Sequence, residues 1–372
     1  MKALFFILLA VMCFIFLAAY DDAEVRVIKH QVSFDHQGNK SEKPIEASLF
    51  EVKADSTNTE FYMDVNSVFC GENVCKLDKV RMFWDPLGRY KKYELAENVQ
   101  LEKGNAEDFA TEDYKKLDAI LHNEQSGLAT LYPAELVSQN RSGNAVDALS
   151  GATVSIHKQD TVEGAIWTCY TLWHYANGEI TQIIRDISGR QKNVSELTAL
   201  LTSADLSQQI FAIEQLAKKK EFDDETRSKL LDKSLLNQTL LQTPIIDYLE
   251  GLPKQQYQQA VLGLLAQDDN ALLVKTLESI QEQNLTSSNE MSLALVELLA
   301  KAEDFQISNL ILTLLTSYSV LSEDVLINLV AILNDQDFLK ARGVYWLLSG
   351  YPLPQAEQQV LNSFSQTHAE RL

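Results

Sequence analysis

Residues 147–153 read Asp-Ala-Leu-Ser-Gly-Ala-Thr, with Val154-Ser155 behind them. The chemistry on offer there is that of a hydroxyl presented as an attachment point. Gly151 and Ala152 leave the approach to the Thr153 hydroxyl open, and glycine permits a tight backbone. Asp147 and Ser150 are of the side-chain types that stabilise turns by bonding nearby backbone N–H groups. A segment of this kind belongs in an exposed loop, where a modifying enzyme can take it into its own active site. The carboxylates elsewhere are numerous and scattered. No spacing singles out an acid/base pair, a metal cluster or a catalytic triad, so the sequence assigns no catalytic residue and no metal ligand. No Cys-x-x-Cys-His run occurs, so covalent c-type haem is not indicated.

The heptapeptide resembles the flavinylation motif of FMN-binding domains, Asp-x-x-(Ser/Thr)-Gly-Ala-Thr, and Ser155 continues that pattern. Such domains occur in the flavin-carrying subunits of the sodium-pumping NADH:quinone oxidoreductase, in its Rnf-type relatives and in many exported flavoproteins. There a Mg-dependent flavin transferase uses FAD to attach FMN, through its phosphate, to the last Thr. The resemblance implies FMN as cofactor, a phosphodiester on Thr153 and a flavin transferase as maturation partner. Asp147, Ser150, Gly151 and Ala152 would shape the loop. It covers roughly residues 140–178, where a loop leads into a helix packed on a small sheet. The Gly-rich N-terminal strands common in the family are missing, which leaves the cradle of the flavin ring unassigned.

The remaining candidates are single side chains or pairs. Cys70 and Cys75 flank Gly71-Glu72-Asn73-Val74 between two alternating apolar/polar runs, a pattern of two strands joined by a short turn. A hairpin sets the two cysteines opposite each other, and an oxidising compartment allows a disulfide there. Free thiols and a redox-active pair are the other readings. Cys169 lies on the apolar face of a helix and reads as a small buried residue. Trp167 and Trp173 follow the loop; they read as helix core, with stacking on a flavin ring as the other possibility. Trp84 and Tyr90, beside Pro86-Leu87-Gly88, divide evenly between stacking and core. His157 and His174 bracket the helix, as surface or capping residues or as donors to the flavin or its phosphate.

The chain opens with Met1-Lys2, an apolar run over 3–19 and Tyr20-Asp21-Asp22. One positive charge, an apolar stretch and an acidic exit make an export signal, or an uncleaved anchor, over 1–20. Lys2 inside and the acidic flank outside place the body beyond the membrane, in a periplasmic or extracytoplasmic location. Cys13 reads as part of the apolar run. The net charge is −20, which argues against nucleic acid and against charge-driven binding to anionic lipid. Lys218-Lys219-Lys220 is too short to alter that.

Residues 21–190 read as an α+β domain. Strands are expected over 23–34, 45–52, 60–69, 75–84 and 90–95. A helix over 111–122 should be capped by Thr111. A second, capped by Asp160 with Glu163 three residues on, should carry the apolar spacing Val162, Ile166, Cys169, Tyr170, Trp173 and end at Asn177-Gly178. From 193 to 372 Pro is scarce, Leu is dense and strand signals vanish. Helices pair as 272–281 with 290–301, 306–316 with 323–333, and 338–348 with 355–364. The openings Asn270-Ala271-Leu272, Asp304-Phe305-Gln306 and Asp337-Phe338-Leu339 recur about every 33–34 residues, the mark of an α-solenoid. TPR aromatics are not evident, so the array reads as HEAT-like; a compact helical bundle is the other reading. The expected protein is a redox carrier rather than a turnover enzyme: an exported flavoprotein with FMN on Thr153, whose repeats dock a redox protein partner. An exported scaffold or sensor with a regulatory or vestigial flavin module is a second class, and a flavoenzyme whose substrate reoxidises the flavin catalytically is a third.

Overall fold

The computed structural model describes residues 25–39, 43–54, 59–68, 77–104, 106–139, 158–285 and 288–372. Residues 147–153, His157, Cys70, Cys75 and the apolar run over 3–19 all lie outside those residues. The chain divides into two compact units, Met1–Gln191 and Lys192–Leu372.

The first unit is built on an antiparallel meander: β1 (Arg26–Phe34), β2 (Ile45–Lys53), β3 (Thr59–Asn66), β4 (Lys79–Trp84) and β5 (Tyr90–Leu95), in chain order across the sheet. Alternation decides the faces. Phe61, Met63 and Val65 on β3, with Val80, Met82 and Trp84 on β4, are buried on one side. The β4–β5 turn is the Pro86-Leu87-Gly88 segment expected. The Asp85 carboxylate accepts the amides of Leu87 and Arg89. Gly88 sits at φ +77°, and a Cβ there would stand 2.4 Å from the Thr181 carbonyl. β3 and β4 are each shorter at the hairpin end than the alternation suggested, stopping at Asn66 and starting at Lys79.

The sheet is covered by α1 (Thr111–His122), α3 (Ile166–Asn177) and α4 (Glu179–Gln191). A short α2 (Pro133–Gln139) and two 3-10 turns (Gly127–Thr130 and Lys158–Asp160) lie between them in the chain. Helix α3 is the centre of the unit. Every residue from Thr168 to Ala176 is buried, as expected for a helix that is apolar nearly all round. Several polar atoms of this helix and its neighbours are satisfied across the core. Trp84 Nε1 donates to the Ala176 carbonyl at 2.9 Å, Trp173 Nε1 to the Asn123 carbonyl at 2.9 Å, and the Tyr170 hydroxyl to the Leu131 carbonyl at 3.0 Å.

Two capping expectations are corrected. Ala110, not Thr111, precedes the first helical residue of α1, and the Asp113 carboxylate accepts the Ala110 amide. Asp160 does not cap α3, which starts at Ile166 after Ala165. Asp160 is buried in its own 3-10 turn and accepts the Ser126 hydroxyl at 2.7 Å. The long-range bond from Ser126 takes the place of a local cap. Gly178 does end α3, and α4 follows at once. A Cβ on Gly178 would lie 2.2 Å from the His174 carbonyl, so the sharp elbow needs glycine.

The second unit is all helix: α5 (Val194–Leu200), α6 (Leu206–Lys219), α7 (Asp224–Leu230), α8 (Lys233–Leu236), α9 (Thr239–Glu250), α10 (Lys254–Leu265), α11 (Asn270–Glu282), α12 (Asn289–Lys301), α13 (Phe305–Ser317), α14 (Glu323–Ile332), α15 (Phe338–Leu348) and α16 (Gln355–Thr367). Helices α6, α9, α11, α13 and α15 stack in one layer, and α10, α12, α14 and α16 in another. That is the two-layer order of a helical-repeat array, in which each pair buries its apolar face on the next. The recurrent Asp has a physical role. Asp269, Asp304 and Asp337 each accept two amides of the first turn of α11, α13 and α15. Buried polar rungs tie one pair to the next: Tyr351 to the Tyr318 carbonyl at 2.9 Å, and Lys340 to the Ala302 carbonyl at 2.9 Å. Among the described residues no helix is long and apolar enough to cross a membrane.

Candidate functional site

Where β1 runs out at Phe34, the chain turns through Asp35-His36-Gln37 against the elbow between α3 and α4. The His36 ring enters the interior and is 6 % exposed; His174, near the end of α3, is 7 % exposed. Their ring centroids are 5.9 Å apart at 71°. Tyr175 lies 4.2 Å from His36, Tyr170 4.4 Å from His174 and Trp173 5.0 Å from His174. A cleft of about 450 Å³ opens beside them, lined by Asp35, His36, Gln37, Asn39, Lys43, His174, Gly178 and Glu179. The Glu179 carboxylate accepts the Asp35 amide at 2.7 Å and so pins the β1 exit to the start of α4.

The two imidazoles are held neutral. Burial pulls His36 down to about 4, and the neighbouring His174 adds to the effect. Hydrogen bonding agrees: Nδ1 of His36 accepts the Gly38 amide at 2.9 Å while Nε2 faces the Thr171 carbonyl at 3.0 Å. That arrangement fits the Nε2–H tautomer, and a second proton on Nδ1 would face another donor. Burial likewise pulls His174 down to about 4, opposed by its bond to the Leu128 backbone. Its Nε2 is buried with no hydrogen-bond partner among the described residues. A neutral imidazole that donates from one nitrogen presents a lone pair on the other. His174 therefore keeps an unused acceptor enclosed in the core.

The described residues on either side of the 140–157 segment are joined to His174 only through intermediates. On the leading side, the Leu131 carbonyl just before α2 receives the hydroxyl of Tyr170, which itself packs on His174. On the trailing side, Asp160 is bonded to Ser126, at the start of the turn whose Leu128 backbone holds His174.

The other sequence candidates resolve as follows. Trp84 is fully buried and bonded, and Tyr90 is buried with its hydroxyl on Asp118 at 2.9 Å. Both are core; stacking by these rings on a flavin is overturned. Trp173 is core as well. Trp167 is half-buried, 6.4 Å from Tyr170. Cys169 is a free buried thiol that accepts the Val162 amide, and burial raises it to about 11. His174 is neither a surface nor a capping residue. His36 escaped sequence reasoning, because a single His after a strand carries no periodic signal and its partner is distant in the chain. Thr153, Ala152, Gly151, Ser150 and Asp147 lie outside the described residues, as do Cys70 and Cys75. Among the described residues no three His, Cys, Asp or Glu side chains gather as a metal site. No protein-family model, curated protein or solved structure matches this chain.

Proposed function

We propose that this chain is an exported electron carrier holding FMN covalently on Thr153, with its helical-repeat unit docking a redox protein partner. The observation that carries the reading is the heptapeptide from Asp147 to Thr153 with Ser155 behind it. A bound flavin supplies reversible electron acceptance; the protein supplies attachment, ring environment and docking. The described residues on either side of the motif are anchored in the first unit. Leu131 and Asp160 are fastened to the core through Tyr170 and Ser126.

The apolar run over 3–19 supports export. The β3–β4 register supports a disulfide. It pairs Asn66 with Lys79, and the Ser67 amide bonds the Asp78 carbonyl. Cys70 and Cys75 share the residue-number sum of the Asn66–Lys79 pair, as partners in an antiparallel hairpin do. A tethered flavin suits a compartment in which a dissociated one would be lost.

The test is a denaturing gel of the protein produced with a flavin transferase, viewed under ultraviolet light, beside Thr153→Ala. Fluorescence that survives denaturation in the wild type and vanishes in the variant is expected. A dark wild-type band, with the transferase active on a control substrate, would leave an exported helical-repeat scaffold as the function.

A further inference from the structure

Resting on the docking half of that reading, we propose that the cleft beside the α10–α11 and α12–α13 turns receives a lysine or arginine side chain from a basic segment of the partner protein. The cleft is about 510 Å³, within the range of small-ligand sites. Leu265, Leu273, Leu298 and Ile307 supply its aliphatic surface, and Asp268, Glu297, Glu303 and Asp304 bring four carboxylates to the lining. Lys301, the one cation of that lining, is paired with Glu297 at 2.7 Å. Asp304 accepts the amides of Gln306 and Ile307. Asp268 and Glu303 are exposed, and their carboxylates have no hydrogen-bond or ion-pair partner among the described residues.

The array itself shows what fills such a place. Ile307 is the third residue after the cap Asp304, and the third residue after Asp337 is Lys340. The buried ammonium of Lys340 bonds the Ala302 carbonyl, just past α12, at 2.9 Å and the Asp335 carboxylate at 2.8 Å. Ile307 brings no charge to the corresponding place. A second counterpart lies two helix pairs on. Counted from the capping residues Asp269 and Asp337, the turn residues that line the two clefts fall at the same offsets. There the chain's own Arg371 is part of the lining, its guanidinium 3.6 Å from the centroid of the Phe338 ring. Two such positions thus hold a lysine and an arginine of the chain, while the cleft beside Ile307 stands open with two unpaired carboxylates.

A basic side chain is apolar along its stem and charged at its head, so it matches both the aliphatic surface and the carboxylates. Charge favours its approach: residues 241–339 hold fourteen Asp or Glu against three Lys or Arg. Among the described residues the carboxylates do not gather in threes as a metal site; they suit an organic cation. Phe305, next in the chain to Asp304, is 63 % exposed and offers a polypeptide an apolar contact that a free polyamine would leave unused.

The probe is a fluorescein-labelled peptide of alternating Leu and Lys, followed by fluorescence anisotropy with the full chain produced without a flavin transferase. Saturable binding that weakens with added salt is expected, with none for a peptide of alternating Leu and Glu. Asp268→Asn with Glu303→Gln should weaken binding by about tenfold. Both side chains are exposed, so the helical circular dichroism should be unchanged. Glu323→Gln with Asp324→Asn removes the same charge from the start of α14 and should leave the affinity unchanged. Unaltered affinity in the Asp268/Glu303 variant, an equal loss in the Glu323/Asp324 variant, or no binding by the unsubstituted chain overturns the proposal. So does spermidine binding as tightly as the peptide, which would make the cleft a polyamine site. Failure of Thr153 to take covalent flavin overturns the carrier reading alone, because the peptide titration needs no flavin.

Discussion

Acidification should unfold the first unit before its carboxylates are protonated, because two histidines are buried without charge. His36 and His174 fall from 6.5 to about 4 on folding. The unfolded chain therefore binds more protons than the folded one between those values, and stability declines as pH falls through that window. It is complete above about 6.5 and fully lost below about 4. Each shift of about 2.5 pH units corresponds to about 3 kcal/mol at the acid end, at 1.36 kcal/mol per unit. From pH 7 to pH 5 the loss works out to about 2 kcal/mol per histidine, or about 4 kcal/mol for the pair. Asp35, Lys43 and Glu179 line the same cleft, and Tyr170 and Tyr175 pack on the rings. Carboxylates held low by partners act in a lower window. In Glu51 burial would raise the value, but bonds from Gln191, His30 and Lys53 outweigh it; its contribution is lost only below about pH 4.5, the ordinary range of the group. Trp84, Trp167 and Trp173 belong to the first unit and Trp346 to the second, so a Trp346→Phe background makes tryptophan emission specific to the first. Urea midpoints should drop steeply from pH 7 to pH 5 in that background, and the drop should be largely abolished by His36→Gln with His174→Asn. A flat response in the parent, or an undiminished slope in the double variant, would refute the reasoning.

Three further outcomes are expected. Gly178→Ala drives a Cβ to 2.2 Å from the His174 carbonyl, which the backbone at the elbow cannot yield cheaply; a loss of about 2 kcal/mol or more should appear as a lower urea midpoint of the first unit. Lys340→Ala leaves the Ala302 carbonyl without its donor and Asp335 without the 2.8 Å partner that holds its carboxyl below the usual range; about 2–3 kcal/mol should be lost from the helical transition followed by circular dichroism, with the tryptophans of the first unit unaffected. In protein lacking residues 1–20, maleimide should label no cysteine under native, non-reducing conditions and two after reduction. Cys169 stays protected in both because burial keeps its thiol protonated; labelling of two residues before reduction would count against the Cys70–Cys75 disulfide.

Local chemistry wrote much of this architecture into the sequence. Alternation of apolar and polar residues located all five strands, because one face of a meander must be buried and the period of a strand is two. Recurrent Asp residues at 269, 304 and 337 marked helix starts, because a carboxylate at that position bonds free amides whatever the surroundings. The proposed attachment motif ending at Thr153 is likewise read from local residue types alone. Long-range competition decided the rest. Asp160 looked like a cap until Ser126, on another segment, claimed its carboxylate. Trp84 and Tyr90 could have lined a site, but the Ala176 carbonyl and Asp118 satisfy their polar atoms inside the core. The His36–His174 pair has no sequence signature, because its two members are brought together only when β1 runs out against the α3–α4 elbow. Tertiary structure alone also decides their charge: a lone His reads as a titrating surface group, and only burial keeps these two neutral well below pH 6.5.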